Sequence, residues 1–405
     1  MGNEYSAVAP FILEKVEVRK IAFLSPEYPH PKTGSSGGIG TSIKNLAMGL
    51  LAEGCSVRVL VYAQKEEAVF YDNGICIQQI RNVKFKGLSW YLTRKKLQNI
   101  IDTLYEDKKI DVVEAPDWTG ITSFISPKKC KVVIRLHGSD TYFCHLDRRP
   151  VKWINKFHEK RALKKADGLL SVSQFTADTT NAVFGLNKQF TIIPNGIDLD
   201  AFSPDDKNKE NKNTILYFGS LIRKKGLLEL PFIFNAVVAK NPNAKLILLG
   251  KDVPDIISGN SSTWQMMQGI FSPAALLNVT YLGAVPYQDI KKHISTATIC
   301  VFPTFAEALP VSWIEAMALQ KPIVASNIGW AQEVIDAGIN GFLVHPKNHL
   351  EYATKIIQLL DDAVLQKAFG LAAEKKVKEK FSKEKVAQQS VVFYKKVCVR
   401  LESDS

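Results

Sequence analysis

The chain lacks the features that would assign it to a membrane interior, a metal centre or nucleic acid. No uninterrupted apolar run is long enough to span a bilayer, and no stretch reads as a secretory signal. The six cysteines, Cys55, Cys76, Cys130, Cys144, Cys300 and Cys398, are scattered, with no Cys-x-x-Cys pair and no ligand-like cluster. Free thiols in a reducing, cytoplasmic setting are therefore expected. Acidic residues are in deficit: 52 Lys and Arg stand against 40 Asp and Glu, a formal charge of +12. No helix-turn-helix signature, aromatic RNA-binding motif or zinc finger accompanies that excess. It points to anionic lipid or an anionic substrate, and no nucleic-acid partner is expected. The one Asp-x-Asp, Asp198-Leu-Asp200, leads into a polar segment, so no metal is expected either.

What is present suits two domains of ordinary size, since 405 residues exceed one typical core, and 46% apolar with 23% charged residues is globular composition. The informative stretch is Val301–Leu319, VFPTFAEALPVSWIEAMAL. A β-branched apolar run over Thr298–Phe302 predicts a buried strand, and the helix formers from Trp313 onward stop at Lys321-Pro322. The intervening loop, Thr304–Leu309, is followed by Pro310 at a natural first helical position. A strand, a short loop and a helix N-terminus put unpaired N–H groups at the strand's carboxyl edge, which favours phosphate. Glu307 and Glu315 flank this turn. Carboxylates do not hold phosphate but accept hydrogen bonds from hydroxyls, and phosphate beside hydroxyls is the chemistry of a nucleotide sugar. Taken alone, the pair reads more readily as helix decoration, since an acid in the first turn complements the dipole.

The rest of the chain supplies company for that pair. Phe11–Val18 reads as an edge strand or a leader. Lys20–Ser25 is a strand running into Pro26–Gly40, a loop full of breakers, and Thr41 caps a helix ending at Gly54. With the strand Ser56–Tyr62 this forms a βαβ unit. Its glycines, Gly37, Gly38 and Gly40, would let the backbone approach an anionic or sugar ligand, although a mobile surface loop has the same composition. Lys131–Leu136 delivers His137-Gly-Ser-Asp140 at its carboxyl end, making His137 a candidate proton carrier or sugar contact. Arg148–Lys165 is read as a basic helix with Trp153, Ile154, Phe157 and Leu163 interleaved. Attachment to an anionic membrane surface and simple packing on its own domain stand level there. Asp205–Asn213 is the sharpest shift in composition and marks a linker. Beyond it, Asn213–Phe218 is a strand and Gly219–Gly226 a basic loop, whose Arg223, Lys224 and Lys225 suit a diphosphate.

These residues resemble the GT-B-fold retaining glycosyltransferases of glycosyltransferase family 4 across nearly the whole chain. The specific matches are Glu307 and Glu315 in the Glu-x7-Glu spacing, followed by Ala316-Met317-Ala318, and the run Ile193-Pro-Asn-Gly-Ile-Asp198. Lys225-Gly226, Gly37–Gly40 and His137 in its His-Gly-x-Asp setting are less specific. The resemblance implies an α/β protein of two Rossmann-like doubly wound parallel-sheet domains facing a central cleft. It divides the chain into an acceptor-binding domain over 1–198, a linker over 199–212, a nucleotide-sugar-binding domain over 213–381 and a terminal helix over 382–405 packing back on the first domain. It implies sugar transfer from a nucleotide-diphosphate sugar to a carbohydrate or lipid-linked acceptor, as in cell-surface polysaccharide or glycolipid synthesis, without a cofactor. By the same resemblance Glu315 binds ribose and Glu307 lies near the donor sugar, while Lys225 holds the diphosphate and His137 contacts the sugar; Asp140 is a further candidate. Ala308, Leu309, Pro310 and Val311 would frame the donor. Two departures stand out: Ser220 occupies the place of a frequent Arg, leaving Arg223 and Lys224 to supply its charge, and Ala308-Leu309-Pro310 replaces a Gly-Phe-Gly. The same architecture would also serve a nucleotide-sugar epimerase, a phosphorylase or a non-catalytic binding subunit.

Overall fold

A computed structural model describes residues 17–34, 36–204 and 211–399. Most of the stretch Phe11–Val18, and residues 205–210 of the linker, lie outside the described residues; Val18 is buried but belongs to no strand.

The first half runs β1 (Lys20–Ser25), α1 (Gly38–Ala52), β2 (Ser56–Gln64), β3 (Ala68–Asp72), β4 (Ile75–Arg81), α2 (Ser89–Glu106) and β5 (Val112–Pro116). It continues through β6 (Lys131–Leu136), α3 (Asp140–Leu146), α4 (Trp153–Lys165), β7 (Gly168–Ser171), α5 (Gln174–Phe184) and β8 (Thr191–Ile192). Its eight strands are ordered β3-β4-β2-β1-β5-β6-β7-β8, all parallel except β3 against β4. Along β1, Ile21 and Phe23 join one core with α1, while Ala22 and Leu24 join another with Leu97 and Ile101 of α2. The two-residue period thus sorts side chains onto opposite faces, and both faces are covered, which is why these strands are apolar throughout.

The second half runs β9 (Thr214–Phe218), α6 (Leu230–Lys240), β10 (Lys245–Leu249), α7 (Thr263–Gln268), α8 (Pro273–Leu276), β11 (Val279–Tyr281) and α9 (Tyr287–Thr296). It then adds β12 (Ile299–Phe302), α10 (Val311–Ala318), β13 (Ile323–Ala325), α11 (Ala331–Val334), β14 (Phe342–Leu343), α12 (His349–Asp361) and α13 (Ala363–Lys380). Six parallel strands in the order β11-β10-β9-β12-β13-β14 surround one large core. In each sheet the order reverses once, at β1/β5 and at β9/β12, and ligand crevices of doubly wound sheets open at the carboxyl ends of such switch points.

The last helix, α14 (Lys383–Val399), returns to the first half, packing Val386, Ala387, Phe393 and Tyr394 into the core under α1. A buried ion pair keys it there. Arg135 on β6 meets Glu114 on β5 through two bonds of 2.8 and 3.1 Å, while Tyr394 donates to Glu114 (2.7 Å) and Ser390 accepts from Arg135 (3.0 Å).

Two local expectations are corrected. Thr41 does not cap α1: the helix begins at Gly38, and Thr41 lies inside it, donating back to the Gly37 carbonyl at 3.1 Å. The cap comes instead from Glu27, whose carboxylate accepts the Gly40 N–H at 2.8 Å. The basic segment is helical only from Trp153, because Arg148 takes a left-handed φ of 54° and Pro150 cannot continue a helix.

Glu114→Ala should lower stability by about 3–5 kcal/mol by stranding a buried guanidinium, against about 1 kcal/mol for Ser390→Ala. Chemical-denaturation midpoints of the two variants check the ranking.

Candidate active site

The loops leaving the β9 and β12 edge are sewn together. The Lys224 carbonyl accepts the Phe305 N–H at 2.8 Å, and Gly226, at φ 72°, lies so close to Pro303 that a Cβ there would fall 1.7 Å from its carbonyl oxygen. Only glycine fits both demands. The result is an ion pair of Lys225 Nζ with Glu307 Oε1 at 3.0 Å. The Lys-Gly dipeptide and the first acid of the Glu-x7-Glu spacing are thus one unit, separated by eighty residues of chain but joined across a sheet edge.

Glu307, Ala308 and Leu309 are fixed through their carbonyls by the other half of the molecule. Tyr142 donates to Glu307 O at 2.7 Å, Ser173 to Ala308 O at 2.8 Å, and Asn195 to Leu309 O at 2.9 Å. Pro310, extended at ψ 117°, is the residue before α10 and not its first turn. With the carbonyls held from one side, the first N–H groups of α10 have no intrahelical partner and carry the positive end of its dipole. Glu315 lies one turn further on, 4% exposed, accepting from the Tyr287 hydroxyl at 2.6 Å. Burial raises its carboxyl to about 7, with Tyr287 and Lys225 opposing.

A cavity of about 660 Å³ joins these groups to the first half of the molecule. Its walls include Lys224, Lys225, Glu307, Ala308, Leu309, Pro310, Val311 and Glu315 from one side, and Gly37, Gly38 and His137 from the other. His137 follows β6; Gly138 at φ 90° turns the chain against the Phe143 ring, and Ser139 caps α3 by accepting the Tyr142 N–H. Burial, and then Arg135, push the imidazole down to about 3, so it is neutral at ordinary pH. That suits a sugar contact and not a proton carrier charged at rest. Lys224 sits over the Phe143 ring at 3.7 Å, a cation–π contact across the cleft, and burial lowers its pKa.

Three sequence candidates stand elsewhere. Arg223 does not line the cavity: its guanidinium makes two bonds to Asp255, at 2.8 and 2.7 Å, which hold that carboxyl well below the usual range. Asp140 is the first residue of α3, and its side chain meets Asn155 at 2.9 Å and Arg149 at 3.5 Å. Gly40 donates to Glu27 and is absent from the lining. Since Glu27 already fills the N-terminus of α1 with a carboxylate, a phosphate there would meet like charge. Glu27 itself was missed, as were Tyr287 and Asp117. Asp117 accepts the His137 N–H at 2.8 Å, burial lifts its carboxyl to about 7, and its second oxygen has no partner. Glu27 and Asp117 follow the carboxyl ends of β1 and β5, so the switch-point rule flags both; nothing local marks Tyr287.

The raised carboxyl of Glu315 sets a pH dependence. Its folded value lies above its unfolded one, so its share of stability is complete below about pH 4.5 and is lost as pH rises through about 7. Glu315→Gln should remove at most about 3 kcal/mol of this decline; Asp117 and Glu159 shift the same way, and the depressed His137 and His158 act in the opposite sense in both proteins. Urea titrations of both proteins between these pH values measure the difference.

Comparison with known proteins agrees with this layout. The family described as Glycosyltransferase Family 4 matches residues 36–201, and Glycosyl transferases group 1 matches residues 200–376. An uncharacterised glycosyltransferase of Methanocaldococcus jannaschii is 26% identical over 398 residues, covering 93% of this chain and 98% of that one. Sucrose-phosphate synthase from Thermosynechococcus elongatus superposes with a TM-score of 0.76 at 20% identity, covering 94% of this chain and 99% of that one. An Anabaena protein in complex with UDP and glucose does so with a TM-score of 0.70 at 20% identity, covering 92% and 98%. The two matched families follow one another across the two sheets and meet where the chain crosses between them; the chain is a glycosyltransferase of the GT-B fold, each half similar to one of these families.

Proposed function

We propose that the chain transfers a sugar from a nucleotide-diphosphate donor to an acceptor hydroxyl with retention of anomeric configuration. The observation that carries this reading is the convergence of Lys225, Glu307, Glu315 and the N-terminus of α10 on one cavity whose far wall is His137. Glu315, held by Tyr287, accepts from the ribose hydroxyls, and the α10 N–H groups with Lys224 and Lys225 face the diphosphate. As the anomeric carbon–oxygen bond breaks, its electrons pass to the departing phosphate, and fixed positive charge there lowers the barrier. Glu307 exchanges part of its pairing with Lys225 for hydroxyls of the sugar, and neutral His137 contacts the same sugar from the other wall. The acceptor lies against the first sheet, near Gly37, Gly38 and Glu27. No metal enters this scheme, and among the described residues no group of three His, Cys, Asp or Glu is placed to hold one.

The experiment is a transfer assay over UDP, GDP and ADP sugars with carbohydrate and lipid-linked acceptors, run in EDTA, with NMR of the product's anomeric proton. Retention and full rate in EDTA are expected. Lys225→Ala should lose roughly 3–4 kcal/mol of transition-state stabilisation, about 10²–10³-fold in turnover, with its circular dichroism unchanged. Near-normal transfer by that variant, or an inverted product, sinks the proposal.

A peripheral site on an anionic membrane belongs to the same proposal. On α4, Leu163 is buried, whereas Trp153 is 76% exposed, with Ile154 and Phe157 also exposed beside Lys152, Lys156 and Lys160. The buried face packs on its own domain, and the exposed face is the one the proposal gives to the membrane. No described helix is long and apolar enough to cross a membrane. Each Lys near an anionic surface is worth about 1 kcal/mol, so replacing the three by Gln should reduce sedimentation with phosphatidylglycerol vesicles about a hundredfold in partition. Unchanged partition would exclude this face.

A further inference from the structure

The first half of the molecule buries two arginines, and only one is matched. Arg135 spends its donors on Glu114, Ser390 and the Ile193 carbonyl. Arg94, on the second turn of α2, is 7% exposed and pairs with no carboxylate among the described residues. Its guanidinium donates only to two carbonyls, Trp90 O at 3.1 Å and Gly120 O at 3.4 Å, and its Nε has no partner. A guanidinium offers five N–H donors, so most of its capacity is unspent. An isolated buried cation is costly and calls for a counter-ion.

The space for that counter-ion is present. Arg94 lines a cavity of about 420 Å³ between α2 and α4, which shares no lining residue with the diphosphate cleft. Tyr62 also lines it, and its hydroxyl is buried without a partner. Ser89 and Trp90 contribute the first turn of α2, which contains no acid, the Ser89 N–H being taken by the Phe85 carbonyl and the Tyr91 N–H by that of Leu88. His158 completes the wall, its Nδ1 facing Ser123 Oγ at 3.0 Å. A buried guanidinium with no acid beside it and an idle hydroxyl ask for the same thing: an oxyanion that accepts several hydrogen bonds.

We propose that this cavity is a binding site for a phosphate group, distinct from the cleft that holds the donor diphosphate. The phosphate is borne by a soluble molecule or by an anionic lipid headgroup, since the exposed Trp153, Ile154 and Phe157 stand at the end of α4 beside it. The site is independent of the transfer reaction, so its test does not depend on turnover.

Melting temperatures are compared in inorganic phosphate and in chloride at equal ionic strength, in a Lys225→Ala background that removes the cleft's principal diphosphate cation. Phosphate should raise the melting temperature of Lys225→Ala, and adding Arg94→Gln should abolish that rise. In chloride the Arg94→Gln protein should melt no lower than its parent, because a buried uncompensated charge has been removed; a merely structural arginine would give the opposite sign. Tyr62→Phe should weaken the phosphate response while leaving the guanidinium in place. Absence of a phosphate response in Lys225→Ala, or its persistence after Arg94→Gln, overturns the site. Vesicles of phosphatidylglycerol in phosphatidylcholine distinguish the sources. A loss of vesicle affinity of about tenfold in Arg94→Gln assigns the headgroup, and unchanged vesicle binding with a lost phosphate response assigns a soluble phosphate.

Discussion

The cleft depends on how one short loop is gripped. The carbonyls of Glu307, Ala308 and Leu309 accept hydrogen bonds from Tyr142, Ser173 and Asn195, all on the opposite half of the molecule. Each such bond is worth only about 1 kcal/mol net, but together they fix the direction of the peptide planes. With carbonyls held on one side, the amides at the start of α10 and the acids at 307 and 315 are committed to the other. The proximity of Lys225 follows, because Gly226 lets its loop lie against Pro303.

The same economy governs the joint between the halves. Ile197 donates to the Phe381 carbonyl and accepts from Lys383, so the two places where the chain crosses between sheets lie side by side. Lys383 Nζ then meets Asp198 at 2.6 Å and Asp200 at 3.2 Å. The Asp-x-Asp of the sequence is therefore a clasp at the crossing. Glu333 reaches across to accept the N–H groups of Gln174 and Phe175, capping α5 from outside its own sheet. Asn195 accepts from Ser42 of α1 at 2.7 Å and donates to Leu309, which explains the Pro-Asn-Gly run as a link between α1 and the loop before α10.

Much of this was legible. Buried parallel strands are continuous apolar runs, so β1, β6, β12 and β13 stand out in the sequence, and α13 is bounded by its own composition. The motifs named the cleft because spacing along a strand–loop–helix unit survives folding unchanged. The β3–β4 hairpin was not legible: its exposed Val69 and Tyr71 lack the signature of a buried strand. Arg223 looked identical to its neighbours in a basic run, and only the presence of Asp255 behind it withdrew its charge from the cleft.

The sequence by itself determined the strand-and-helix units of two parallel sheets, because these rest on hydrophobic period, and its spacing brought forward Lys225, Glu307, Glu315 and His137 as candidates; the glycosyltransferase class came from the resemblance of those motifs to a known family. Tertiary structure alone decided which charges remain available. Ion pairing and burial act between residues far apart in the chain, so they placed Arg223 with Asp255, filled the N-terminus of α1 with Glu27, kept His137 neutral and left Arg94 buried without an acid.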